Sequence, residues 1–71
     1  MVRDIKVKLA QRLRDLRKKY GYSQEEVAAK SGVDYKHLQR IESKKPPSVR
    51  LDTIEKLAKV FNLTSSELLK L

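Results

Sequence analysis

Four polar side chains in the middle of the chain have the types and spacing to recognise another molecule. They are Tyr35, Lys36, Gln39 and Arg40. If the segment is helical, Lys36 and Arg40 share one face, because residues four apart are neighbours on a helix surface. A guanidinium can donate two parallel hydrogen bonds to O6 and N7 of guanine, and an ammonium can do so less specifically. Gln39 could reach adenine or only face solvent, and Tyr35 could stack on a sugar or touch a thymine methyl.

The same segment carries apolar residues that would hold such a helix rigidly. Leu38 and Ile41 alternate with the polar positions and face the opposite side. Asp34 stands just before them, where its spacing to the following amides suits an N-cap better than a contact to a base. A shorter helical pattern comes before, joined through Gly32, which permits the positive φ of a tight turn. Residues 24–43 therefore predict two helices in a helix-turn-helix.

Charge favours a polyanionic partner without deciding the matter. Seventeen lysines and arginines stand against nine acidic residues, for a formal net charge of +8. A small basic domain attracts nucleic acid through counterion release. A lysine-rich surface that is merely solvated would have the same composition, so both interpretations stay open on charge alone.

Enzymatic chemistry finds little support in the sequence. His37 is the only histidine and the chain has no cysteine, so a thiolate or two-histidine metal site is excluded. His37 could instead meet a phosphate from the outer part of the predicted helix. Glu25 and Glu26 suit the first turn of a helix, where the dipole favours acidic groups, better than an acid–base pair. We expect no catalysis, no metal and no cofactor.

Length and hydropathy indicate one small domain. The 71 residues suit a single unit, 1–71. No apolar stretch approaches the roughly 18–20 residues of a membrane span, and the charged N-terminus resembles no export signal. We therefore expect a cytoplasmic, nucleoid-associated protein without membrane contact.

Apolar periodicity predicts five helices and no strands. Their expected extents are 4–19, 23–31, 34–43, 51–61 and from 64 onward. The two clearest inward stripes consist of Ile5, Leu9, Leu13 and Leu16, and of Leu51, Ile54, Leu57, Ala58 and Phe61. Leu13, Leu16, Leu57 and Phe61 are expected beneath the helix-turn-helix.

Local signals mark several helix ends. Ser23 and Thr64 each precede a glutamate by three residues, which is the spacing of a capping box. Gly21 and Asn62 are suited to end helices in the left-handed conformation.

The order of these elements resembles the Cro/C1-type, lambda-repressor-like helix-turn-helix family (XRE family) over roughly residues 9–69. The resemblance rests on the joint order and spacing of short motifs. They are LRDLR at 13–17, YSQEEVA at 22–28, SGV at 31–33, RIE at 40–42, LDTI at 51–54, LAK at 57–59 and SELL at 66–69. It implies an all-α, five-helix DNA-binding domain.

The resemblance also implies a function and several site residues. Members bind duplex DNA, usually as twofold dimers, with the second helix crossing the backbone and the third in the major groove. By position, Gln24 would contact a phosphate, and the residues that would face bases or their flanking phosphates are Asp34, Tyr35, Lys36 and Arg40. Arg17 and Glu42 match an ion pair that members often use to fix the recognition helix, which we favour over a phosphate contact by Arg17.

One loop departs from the family pattern. Lys44 stands where members commonly have glycine, and the loop is about one residue longer, with Pro46 and Pro47. Ser43, Lys44 and Lys45 would lie near the DNA, where basic residues contact phosphates. An exposed lysine pair without a role is the plainer alternative.

The expected function is that of a transcriptional regulator, a repressor or autoregulator acting as a homodimer on an inverted repeat. One alternative is an antitoxin-type protein that also sequesters a toxin, and another is an adaptor that binds protein without reading DNA. Two apolar ends could form the dimer seam, in addition to closing the core. They are Leu68, Leu69 and Leu71 at the C-terminus, and Met1, Val2 and Ile5 at the N-terminus.

Overall fold

The computed structural model describes residues 4–70, and α-helix is the only regular secondary structure over that range. The helices are α1 (Ile5–Tyr20), α2 (Gln24–Ser31), α3 (Tyr35–Ile41), α4 (Leu51–Val60) and α5 (Ser65–Leu68). The prediction of a five-helix, all-α domain is confirmed. Helix α3 ends two residues earlier than expected, because Glu42 already serves as its C-cap.

The helix ends follow the local signals in the sequence. Ser23 Oγ accepts from the amide of Glu26, and the Glu26 carboxylate accepts from the amide of Ser23, both at 3.0 Å. Thr64 forms the same reciprocal box at the start of α5. Gly21 and Asn62 have φ values of 72° and 57°, so both chain reversals use the left-handed region.

The core takes apolar residues from every helix. A single buried cluster contains Leu9, Leu13, Leu16, Val27, Ala28, Val33, Leu38, Ile41, Ile54, Leu57, Ala58, Phe61 and Leu68. The residues expected beneath the helix-turn-helix are all in it, and α2 packs against both α3 and α4. Leu68 is buried and closes the core, which is one of the two uses predicted for it.

Two predicted core residues are instead exposed. Ile5 is 61% exposed and Leu51 is 79% exposed. Each is the first residue of its helix and stands at the end of its apolar stripe. The two predicted dimer seams also include residues that lie outside the described range, namely Met1, Val2 and Leu71.

Helix α1 also secures the C-terminal end of the fold. The Arg12 side chain donates from Nη2 to the carbonyl of Glu67 at 3.0 Å, and from Nε to that of Leu68 at 3.2 Å. The last carbonyls of a helix lack partners within it, and a cation there also suits the helix dipole. The short α5 is thereby tied to α1.

Candidate nucleic-acid interface

Helix α3 presents one face to the core and the other to solvent. Leu38 and Ile41 are fully buried, and Val33 in the preceding turn is nearly so. The exposed residues of the helix are Tyr35, Lys36, Gln39 and Arg40. The structure thus places all four predicted reading residues outward on a helix that is held from behind.

The N-terminal end of α3 is capped locally. The Asp34 carboxylate accepts from the backbone amide of His37 at 3.2 Å. This contact is the N-cap that the sequence predicts for Asp34. His37 follows on the helix and is half-buried.

The C-terminal end of α3 is held by a buried ion pair. Glu42 is only 4% exposed. Arg17 of α1 grips its carboxylate from both Nε and Nη2, at distances of 2.9–3.0 Å. The remaining nitrogen of Arg17 donates to the carbonyl of Tyr22 at 3.3 Å. A carboxylate buried to this extent requires such compensation, since an uncompensated buried charge is strongly destabilising.

Gln24 joins this ion pair. Its side-chain amide donates to Oε1 of Glu42 at 3.3 Å, and the residue is half-buried at the start of α2. Nearly all of the hydrogen-bonding capacity of the Glu42 carboxylate is therefore used inside the protein. Gln24 was expected on a phosphate, and the structure brings its side chain to the end of α3 instead of leaving it free in solvent.

A third contact on the same end of α3 was not predicted from the sequence. Nη1 of Arg14 donates to the backbone carbonyl of Glu42. Its Nη2 donates to the side-chain oxygen of Gln11 at 2.9 Å. Arg14 precedes Arg17 by three residues, so the two share a helix face. The spacing gives the helix face of Arg14, but it does not give the carbonyl that Arg14 meets.

The loop after α3 carries the remaining predicted residues. Ser43 turns back on α3, with its amide and hydroxyl both donating to the carbonyl of Arg40, at 3.1 and 2.6 Å. Lys44 and Lys45 are exposed, whereas Pro46 is buried and anchors the loop. Among residues 4–70, Asn62 is the one non-glycine residue with positive φ, so Lys44 needs no glycine-like conformation. This explains why lysine fits where the family commonly has glycine.

Other kinds of site find no support between residues 4 and 70. Over that range no three His, Cys, Asp or Glu side chains are grouped so as to hold a metal ion. None of the helices described is long and apolar enough to cross a membrane. The geometry is instead that of a basic helix face on a rigid support, which suits contacts to the edges of bases and to phosphates.

Comparisons with known proteins agree with this geometry. A family model described as helix-turn-helix matches residues 13–68. The restriction-modification controller protein C.AhdI from Aeromonas hydrophila is 40% identical, with a TM-score of 0.81 over 89% of this chain and 94% of that one. The hypothetical transcription factor NHTF from Neisseria is 33% identical, with a TM-score of 0.83 over 93% and 75%.

A third solved structure, a complex of the SinR and SinI proteins, is also similar. It is 32% identical, with a TM-score of 0.80 over 87% of this chain and 60% of that one. No curated protein matches the chain. The family match spans most of the chain, and the solved structures keep the same fold at 32–40% identity. The chain therefore belongs to the Cro/C1-type, lambda-repressor-like helix-turn-helix family of DNA-binding transcription regulators.

Proposed function

We propose that the protein reads a specific duplex DNA site by placing α3 in the major groove, and that it represses transcription there, its own gene included. The observation that carries this proposal is the pairing of an exposed polar face with buried restraints on the same helix. Rigid presentation matters, because a bidentate contact to a base edge contributes discrimination only where the donor is held in register.

The residues of the interface would have different roles. Arg40 is the leading base reader, since its planar fork matches guanine, with Lys36 beside it on the same face. Tyr35 and Gln39 are the candidates for a thymine methyl or an adenine edge. Phosphate contacts, which position the protein without reading sequence, are proposed for Gln24, His37, Ser43, Lys44 and Lys45.

Selection of binding sites from random duplexes tests the proposal. We expect one enriched sequence arranged as an inverted repeat, with half-sites about one helical turn, roughly 34 Å, apart. Affinity for it should fall with salt by about 0.9 log units per decade for each phosphate neutralised. A pool that yields no enriched sequence, with a flat salt response, would instead favour the adaptor alternative.

The homodimer is proposed to form through the apolar face of α1 and α4. A groove of about 200 Å³ lies there, lined by Ile5, Leu51 and Leu69 among others. Protruding side chains and an adjoining groove on one face are what a twofold, self-matching contact requires. Lys6 also lines the groove, and Glu55 follows Leu51 by one helical turn, so opposite charges are available across the seam.

Sedimentation of a charged variant tests this seam. Leu51→Glu should give monomers that still fold, because a side chain so exposed within one protomer contributes little to the fold of that protomer. Val7→Glu is the matched control. Val7 is an exposed apolar residue of α1, and it lies outside the lining of the groove. Equal dimerisation by the two variants would contradict the seam.

A protein partner is a second candidate function, favoured by the similarity to SinR in its complex with SinI. The antitoxin-type alternative belongs to this class. The match to the controller protein C.AhdI covers 94% of that chain, so the domain makes up nearly all of that protein. This similarity supports a regulator that acts without a protein partner. Purification of a stable complex that no longer binds the selected DNA would favour the partner-regulated form.

A further inference from the structure

We propose that Arg14 is a positioning residue for DNA reading, which sets the path of the backbone at the C-terminal end of α3. The inference depends on the proposed function of α3 as the reading helix. Arg14 touches no predicted DNA contact through its own side chain, and it would act on Arg40 through the intervening backbone.

The guanidinium of Arg14 is held on two sides. Nη1 donates to the backbone carbonyl of Glu42, and Nη2 donates to Oε1 of Gln11 at 2.9 Å. The amide of Gln11 in turn donates to Oδ1 of Asp15 at 2.8 Å. Arg14 is thus oriented by its own helix before it meets α3, so its fork presents a fixed donor and not a freely moving charge.

Helix α3 needs a restraint at this point. It has seven residues, and its C-cap Glu42 has a φ of −88°. The left-handed glycine cap that often supplies partners for the last carbonyls is therefore missing at the C-cap of α3. A cationic donor on the Glu42 carbonyl replaces it and also complements the negative end of the helix dipole.

The restrained carbonyl lies two residues from the leading base reader. The carbonyl of Arg40 accepts from the amide and hydroxyl of Ser43, the residue that directly follows Glu42. Any shift of the Glu42–Ser43 peptide therefore passes directly to the backbone that carries Arg40. A displacement of a few tenths of an ångström at that point is enough to misalign a two-point contact to guanine.

Arg14 and Arg17 differ in what their loss would leave behind. Removal of Arg17 would leave a buried carboxylate without its cation. Removal of Arg14 would leave only the neutral carbonyl of Glu42 without its donor. Arg14 is half-buried, so water can reach the position that its side chain vacates. We therefore expect loss of Arg14 to loosen α3 and leave the domain folded.

The test compares Arg14→Ala and Arg14→Lys with Lys19→Ala, which removes the same charge from an exposed position on α1. Each is titrated with the selected site and with a random duplex across a range of salt. We expect Arg14→Ala to lose about tenfold in affinity for the selected site, the size expected for one charge-assisted hydrogen bond. Affinity for random DNA and the salt slope should match those of Lys19→Ala, and Arg14→Lys should recover part of the loss.

Amide NMR spectra of the free protein provide a second measurement that needs no DNA. Arg14→Ala should shift the amide resonance of Ser43, whose peptide carries the restrained carbonyl, while Lys19→Ala should not. A salt slope reduced by about 0.9 for Arg14→Ala alone would make Arg14 a phosphate contact and overturn the proposal. So would an unshifted Ser43 amide. If the parent protein selects no DNA site, the reading function fails, and the spectra still decide whether Arg14 positions α3.

Discussion

The two ends of α3 are held in different ways. The N-terminal end depends on one exposed carboxylate, Asp34, which accepts from an amide three residues away. The C-terminal end depends on residues of α1 and α2 that are 18–28 positions distant, and it includes a buried carboxylate. The local contact starts the helix, and the distant contacts orient it. The proposed reading role of α3 needs both kinds of contact, and only the distant ones fix the direction in which its exposed face points.

The largest effect should come from the C-terminal end. Glu42→Ala leaves the half-buried guanidinium of Arg17 without its partner, and we expect a loss of about 3–5 kcal/mol in the free energy of unfolding. Urea denaturation measures it. Glu25→Ala, which removes an exposed glutamate on α2, is the control. Equal stability of the two variants would mean that the ion pair does not hold α3.

A smaller effect is expected at the N-terminal end. Asp34→Ala removes the cap and should lower the free energy of unfolding by about 1 kcal/mol, the ordinary contribution of an N-cap. Asp34→Asn keeps an oxygen acceptor and should behave like the parent. If Asp34→Asn weakened DNA binding while stability was retained, the carboxylate would contact DNA directly and the division between the two ends would need revision.

The smallest effect belongs to another local cap and appears as a dependence on pH. The backbone amide of Thr64, and then its hydroxyl, hold the pKa of Glu67 below its ordinary value of 4.5. Because the pKa is lower in the folded state, the stabilisation is present above 4.5 and is lost as pH falls through the folded value. In Glu67→Gln the melting temperature should depend less on pH below 4.5 than it does in the parent protein. An unaltered acid profile would show that this capping box contributes no linkage.

The same contrast explains what the sequence could predict. Capping boxes and helix ends depend on spacings of three or four residues, so they can be found without knowing how helices pack. The approach of Arg17 to Glu42 was expected only because the family resemblance implied it. Nothing local connects Arg14 with a carbonyl 28 positions away, or Arg12 with the end of α5, since both depend on where α1 crosses its neighbours.

Exposure at helix ends was the other failure of pattern reasoning. Ile5 and Leu51 fit their apolar stripes by period, yet each is the first residue of its helix and extends past the core. Periodicity gives the direction of a side chain but not whether a partner lies opposite. The contact of Gln24 with Glu42 was also outside the reach of local patterns, because it depends on the angle between α2 and α3. The phosphate contact of Gln24 stays a prediction.

The central claim is that the exposed face of α3 reads DNA while the rest of the domain holds it still. Titration of the selected duplex with Arg40→Ala tests this most directly, with Lys59→Ala, an exposed lysine on α4, as the charge-matched control. We predict that Arg40→Ala loses about 1–3 kcal/mol of binding free energy and relaxes the preference at one base position, at an unchanged melting temperature. Binding by Arg40→Ala as tight and as selective as that of the control would contradict the account.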